Sequence, residues 1–223
     1  VHLASLTAGG LRGADEFVNA YHDNPNTDFH TMVSEMAKID RKKAKTINLG
    51  LFYGMGKGKL SSELGLSPGQ AEDLFEKYHS RVPFVKEMIE RTMKKAADVG
   101  HVRTLLGRKC RFDLWEPSRY GVHRPLPRDE AEREHGKQIR RAFTYKALNK
   151  IIQGSAADMT KQAMADLHDE GITPHIQVHD ELDCSFEDEV EKDKILEIMR
   201  NAVKLEVPVK LDVEEGPSWG QAR

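Results

Sequence analysis

The feature that most constrains this chain is the place where its apolar period changes. Most of the first 136 or so residues read as helix, with an extended stretch and a loop at their end, and a further helical pattern covers about 138–170. The next stretch, TPHIQVHDELDCSF, alternates with period two around a polar kink, which predicts a β-hairpin. A charged helix is expected over about 188–204, and VPVKLDVEEG reads as one last strand. A long helical part followed by helices mixed with a small antiparallel sheet is an α+β fold, mostly helical.

Punctuation residues divide the helical part. YHDNPNTD is a loop by its Asn, Asp and Pro. Asp28 is placed to cap a helix over 29–37, and Asp40 to cap the next, from Arg41 to about Tyr53. Gly54, Gly56 and Gly58 are expected to end it. Ser67-Pro68 opens a helix to about Ser80, with Pro in its first turn. VPFVKEMIERTMKKAADVG is amphipathic and closed by Gly100. Residues 101–112 look extended, and 113–136, with Pro117, Pro125, Pro127 and mixed charge, read as a loop or insertion.

Composition limits the function classes. Charge is nearly balanced, at −2, so the chain is not basic as a whole and any nucleic-acid footprint must be local. Charged residues make up 31% and mean hydropathy is −0.60, which describes a well-solvated surface. Cys110 and Cys184 lack metal-ligand spacing and are too few for a disulfide scaffold, so a reducing, intracellular setting fits. No apolar run reaches the ~18 residues of a membrane span. The chain begins at Val1 rather than Met, so a processed, split or truncated product is expected.

The segment RKKAKTINLGLFYGMGKG runs from cations straight into apolar and aromatic residues. On a wheel of ~100° per residue, Arg41, Lys45, Leu49 and Tyr53 form one slowly winding stripe, with Lys42 and Phe52 within it. Ala44, Ile47, Leu51 and Gly54 group on another side, the face expected to be buried. The stripe offers cations at the helix start and flat or apolar groups at its end. That suits a ligand with a polyanionic end and an aromatic end, such as a nucleoside triphosphate, and the helix dipole adds to the pull on phosphate. A solvated Lys/Arg face over ordinary core residues would give the same pattern. The glycines of GMGKG follow the helix, whereas phosphate loops precede one, so they read as a helix stop.

QVHDE places Asp180 and Glu181 at the hairpin tip beside His179. Adjacent carboxylates repel, and Mg²⁺, which prefers carboxylate and phosphate oxygens, would offset that cost. An Asp that merely forms the turn is the competing reading.

Taken in order, these segments resemble the C-terminal part of a family A DNA polymerase, the class of bacterial DNA polymerase I and many phage replicative enzymes. RKKAKTINLGLFYGMG resembles the family's nucleotide-binding helix, with Arg41, Lys45, Leu49, Tyr53 and Gly54 on its spaced positions. DFH puts His30 on a triphosphate-contacting position. NKIIQGSAADMTKQAM resembles the helix in which Asn149 and Gln153 contact primer–template, and QVHDE the palm motif with its metal-binding Asp180. GHVRTLLGRK and GPSWGQA match the family's order, and LWEPSRYGVHRPLP looks more like phage enzymes.

The resemblance implies template-directed nucleotidyl transfer: a primer 3′-hydroxyl attacks the α-phosphate of a dNTP and pyrophosphate leaves. Two Mg²⁺ ions roughly 3.5–4 Å apart would serve the attacking and leaving oxygens, one of them held by Asp180. Glu181 would assist near the primer end. Arg41 and Lys45 would neutralise the triphosphate, with Lys45 able to protonate pyrophosphate. Tyr53 would stack near the template base, with Gly54 and His179 also on the DNA side. Implied partners are primer-template DNA and dNTPs, and the implied location is the cytoplasm, that of the host for a phage enzyme.

Implied organisation is a palm-anchoring segment over 1–20, fingers with an insertion over 21–136, and C-terminal palm over 137–223. Leu49 departs from the family, where Phe or Tyr is usual, so discrimination among sugars should differ. The first palm motif, with the other metal-binding Asp, is expected just upstream of VHLASL. A complementary chain carrying it and the thumb is therefore expected, with 1–223 alone inactive. A single-subunit RNA polymerase fragment and a non-catalytic nucleotide- or DNA-binding module are the alternatives.

Overall fold

The computed structural model describes residues 10–11, 13–24, 26–52, 55–81, 83–119 and 121–222. Six helices come first: α1 (Ala14–Asp23), α2 (Phe29–Ala37), α3 (Arg41–Phe52), α4 (Lys57–Leu64), α5 (Pro68–Arg81) and α6 (Pro83–Val99). The β1–β2 hairpin (His101–Arg103, Lys109–Arg111) follows, then β3 (Leu114–Pro117), β4 (Leu126–Pro127), α7 (Arg128–His135) and β5 (Ile139–Arg141). A 3₁₀ turn over Thr144–Lys146 leads into the long α8 (Ala147–Asp169). The β6–β7 hairpin (Ile176–Val178, Glu181–Asp183), α9 (Glu189–Asn201) and a short 3₁₀ turn at Trp219–Gln221 complete the chain. The α+β expectation holds.

Local chemistry sets the early boundaries. Asp28 caps α2 by accepting from the His30 N–H at 2.9 Å, and Asp40 accepts from Lys43 N–H at 2.9 Å at the head of α3. At the start of α5, Ser67 and Gln70 exchange hydrogen bonds between backbone and side chain, a reciprocal capping box ahead of Pro68. Gly100 ends α6 in the left-handed region, at φ 77°. It also admits the Arg141 guanidinium, which an added Cβ would meet at 2.8 Å.

Three apolar clusters line up along the chain. The largest joins Val33 of α2, Ala44 and Ile47 of α3, Leu60, Tyr78, Phe84 and Val85 to Leu148 at the head of α8 and to Val207. A second packs Ala96, Val102 and Phe112 against Ala147 and Ile151. A third holds Leu167, Ile172 and Ile195, with Leu182 and Cys184 of the hairpin partly covered by it. Helix α8 contributes to all three and so ties the helical part to the C-terminal hairpin. Each fully buried Leu, Ile or Phe contributes roughly 1.5–3 kcal/mol.

Four expectations need correction. Residues 113–136 are not a loop: with 139–141 they form a three-stranded antiparallel sheet in the order β4-β3-β5, backed by α7. Trp115 of β3 lies between the guanidinium groups of Arg128 and Arg141, at 5.1 and 4.5 Å from its ring. These cation–π contacts supplement the few apolar side chains buried there, Leu126 and Ala131. Residues 138–146 accordingly leave the expected helix, which starts at Ala147. Third, GMGKG is more than a stop: Gly56 stands at the N-terminus of α4 and Gly58 lies inside it. Fourth, VPVKLDVEEG forms no strand. A strand exists only by pairing, and this segment is tied instead by burial of Val207 and a 2.7 Å Lys192–Glu215 ion pair.

Candidate nucleotide-binding and catalytic site

The expected stripe of α3 is realised on the described residues. Ala44 and Ile47 are wholly buried, so the helix cannot rotate without opening the main core. That fixes Arg41 and Lys45 on the solvent side, with Leu49 39% exposed beside them. Tyr53 and Gly54 lie outside the described residues, as does the Leu51 side chain.

Helix α2 packs against α3 and brings His30 and Asp28 to the cationic end. Asp28 accepts from Arg41 Nε at 2.7 Å and pairs with its Nη2 at 2.5 Å, while Thr31 Oγ1 donates to the same carboxylate oxygen at 3.1 Å. Burial pushes the Asp28 carboxyl up. Hydrogen bonds from Arg41, the His30 N–H and Thr31, with the Arg41 charge, outweigh this and hold it at about 2. Arg41 is thus held in place by a carboxylate, whereas Lys45 has no ion-pair partner among the described residues.

His30 is half-buried. Its Nδ1 lies 2.9 Å from the Asn48 Nδ2. Burial lowers the imidazole pKa; Asp28 opposes this, and the Arg41 and Lys45 charges add to it. Asn48 itself is 0% exposed, and its Oδ1 finds no partner among the described residues. Sequence reasoning missed this residue. The signal was available: Asn48 stands at i+4 from Ala44 on the buried side of the wheel, where a polar side chain needs a partner. Asp28 was read only as a cap, and its grip on Arg41 was missed.

The carboxylates of QVHDE occupy the tip of the β6–β7 hairpin, with Val178 paired to Glu181 and His179-Asp180 as the two-residue turn. His179 adopts φ 55°, in the left-handed region where a side chain costs energy. The Gln177 side chain clasps the turn by donating to the His179 carbonyl at 2.5 Å. Asp180 and Glu181 are exposed. Among the described residues no hydrogen bond or ion pair joins this hairpin to α2 or α3.

Asn149 and Gln153 stand one turn apart on α8, half-buried and exposed respectively. The β1–β2 hairpin docks beside them at Gly154, where an added Cβ would lie 2.7 Å from Thr104 Cγ2. Arg108 Nε donates to Asp158 Oδ1 at 2.8 Å and its Nη2 to the Gly154 carbonyl at 2.9 Å, while Leu105 N–H donates to Ser155 Oγ at 3.0 Å. Arg108 and Asp158 were not singled out in the sequence, because partners 50 residues apart leave no local pattern.

Among the described residues no group of three or more His, Cys, Asp or Glu side chains could close around a metal ion. Asp180 and Glu181 present two carboxylates, hard oxygen donors, at an exposed tip. That donor set fits Mg²⁺, which is commonly bound by one or two carboxylates with substrate phosphates completing the shell. No helix among the described residues is long and apolar enough to cross a membrane.

Residues 12–221 match the family model of DNA polymerase family A. The chain belongs to DNA polymerase family A. Among similar family A sequences, a DNA-directed DNA polymerase of Pseudomonas phage M6 is 36% identical, matching 100% of this chain and 36% of its own length. The thermostable DNA polymerase I of Thermus filiformis is 37% identical over 82% of this chain and 21% of its own length. The chain thus spans about a third or less of these relatives. The fold is similar to the POL domain of Pol1 from M. smegmatis, solved in complex with DNA primer-template and dNTP. The TM-score is 0.68 and the identity 27%, covering 93% of this chain and 36% of that one. The expected family is therefore met.

Proposed function

We propose that this chain carries the dNTP-binding helix and one catalytic carboxylate motif of a template-directed DNA polymerase. The observation that carries the reading is α3: a buried back formed by Ala44 and Ile47, and an exposed front bearing Arg41, Lys45 and Leu49 beside His30. Arg41 and Lys45 bind the triphosphate as a pair of cations, with Arg41 pre-aimed by Asp28. His30 adds a directed ring N–H. Leu49 offers an apolar surface to the sugar, and Tyr53, on the family's spaced position, would stack near the template base.

Asp180 would hold Mg²⁺, with Glu181 adjacent; when bound, Mg²⁺ supplies charge stabilisation for phosphoryl transfer. A second acidic ligand is contributed by polypeptide bearing the family's first palm motif, whether joined to this chain or separate. Asn149, Gln153 and His179 contact primer–template in a sequence-tolerant way, as a polymerase requires. In these terms residues 21–136 act as fingers with an insertion, 137–223 as C-terminal palm, and 1–20 as a palm-anchoring segment.

Lys45 tests the reading. In a polymerase completed with the first palm motif, Lys45→Ala should slow single-nucleotide incorporation strongly and weaken dNTP binding. An effect below threefold on both would sink the nucleotide-binding role of α3.

A further inference from the structure

The contact between His30 and Asn48 has a polarity, and that polarity matters for any anion approaching α3. A neutral imidazole carries one proton, on one of two nitrogens. The group facing Nδ1 decides which. Here the facing group is an amide Nδ2, at 2.9 Å, on a side chain that is 0% exposed. An amide N–H₂ can only donate, so Nδ1 must accept and the ring proton belongs on Nε2. Asn48 is itself wholly buried, on the same side of α3 as Ala44 and Ile47, so its amide stays against the ring.

We propose that Asn48 is the positioning residue that keeps His30 an Nε2–H donor toward the phosphates of the bound nucleotide. The inference rests on the reading of α3 as a dNTP-binding helix. It gives Asn48 a role that no position on the exposed stripe could fill, because it acts through His30 from the buried side.

Among the described residues Asn48 Oδ1 has no hydrogen-bond partner. A buried amide oxygen without a hydrogen bond is costly. When an incoming polyanion favours the imidazolium, Nδ1 gains a proton and becomes a donor. Only then does half a turn of the amide about χ2, presenting Oδ1, gain a hydrogen bond; against the neutral Nε2–H ring it would set two acceptors face to face. Nε2 remains N–H in both states, so the donor toward phosphate is never lost. The charged groups acting on the ring are Asp28 from the head of α2, which favours the imidazolium, and Arg41 and Lys45 from α3, which oppose it. A triphosphate seated against Arg41 and Lys45 removes that opposition.

Ring ¹⁵N–¹H spectroscopy of the 223-residue chain tests this, with His30→Ala used to assign the signals. The neutral ring of His30 should be the Nε2–H form; the Nδ1–H form would overturn the proposal whatever the variants do. Asn48→Asp keeps the shape but can only accept, so it should move the proton to Nδ1 at neutral pH. Titration with dATP, followed at amide resonances of α3, reads binding. Asn48→Asp should weaken it several-fold at neutral pH and recover as the pH falls and both ring nitrogens are protonated. Asn48→Leu should weaken it several-fold with His30 present and not at all in the His30→Ala background. A loss of equal size in both backgrounds would mean Asn48 acts by packing alone, and would refute the proposal. If His30→Ala leaves dATP binding unchanged, or the chain does not respond to dATP, the nucleotide reading of α3 fails instead, and the ring tautomer still decides the role of Asn48.

Discussion

The α2–α3 pair and the β6–β7 hairpin carry the two halves of the proposed chemistry, and they are built in opposite ways. Behind Arg41 and Lys45 stand Ala44, Ile47 and Val33, each at most 1% exposed, in the largest core of the molecule. Behind Asp180 stands very little. Ile176 and Val178 are each 40% exposed, and among the described residues the sheet consists of the two strands β6 and β7. A two-stranded hairpin is marginal without further cover. This one relies on the Gln177 clasp and on partial packing of Leu182 and Cys184 against α8 and α9. The proposed grip on the nucleotide is thus prebuilt by local packing. The carboxylate tip, by contrast, has open sheet edges suited to pairing with another strand. Binding should therefore belong to α2–α3 and rate to the hairpin.

The sharpest way to break that division is at Asp180. In the completed polymerase, Asp180→Ala should lower primer extension about a thousandfold or more, the scale of losing several kcal/mol of charge stabilisation. The affinity for dNTP should change little, which a binding titration on the same variant checks. Lys45→Ala comes next: about ten- to hundredfold in single-turnover incorporation, from loss of a charge-assisted contact to phosphate, with weaker dNTP binding.

Leu49→Tyr probes the apolar end of the same stripe. A ring hydroxyl can supply a polar contact that a nucleotide without its 3′-hydroxyl no longer makes, so acceptance of dideoxynucleotides should rise several-fold in competition with deoxynucleotides. An unchanged ratio would make Leu49 a packing residue only.

The smallest effect concerns the Asp28–Arg41 clasp. The Asp28 carboxyl falls from an ordinary 3.8 to about 2 on folding, so the folded state favours the carboxylate. Its contribution is complete above pH ~4 and disappears as pH falls toward 2. The Asp28 side chain is 34% exposed, and solvent screening reduces the contribution to about 1 kcal/mol. Asp28→Asn should remove that acid-dependent part of the stability, seen as a flatter dependence of Tm on pH in this window.

The same contrast governs what was legible in the sequence. Local chemistry wrote the α2–α3 region: Asp28 and Asp40 mark the caps, and Ala44 and Ile47 mark the buried face. The hairpin was legible too, because period-two alternation ends at His179-Asp180. Residues 113–141 were not, since Trp115 pairs with Leu126 on one side and Arg141 on the other, and arginines do the packing. Proline and mixed charge there look like a loop at any local scale. Helix α4 was hidden by Gly56 and Gly58. Its ion pair from Lys57 to Glu72 and the docking of α4 on α5 come from the fold rather than from local propensity. VPVKLDVEEG shows the reverse: strand-like residues remain unpaired where no described strand stands beside them.

The most direct test of the division between grip and chemistry is a dNTP concentration series under single-turnover conditions. It should be run with the completed polymerase on primer-template in Mg²⁺ and separates apparent affinity from maximal rate. The account predicts that Lys45→Ala raises the dNTP concentration needed for half-maximal rate about tenfold or more. Asp180→Ala should remove nearly all of the maximal rate while dNTP binding stays within about threefold of the parent. Parent-like rate in Asp180→Ala, or parent-like affinity in Lys45→Ala, would contradict it.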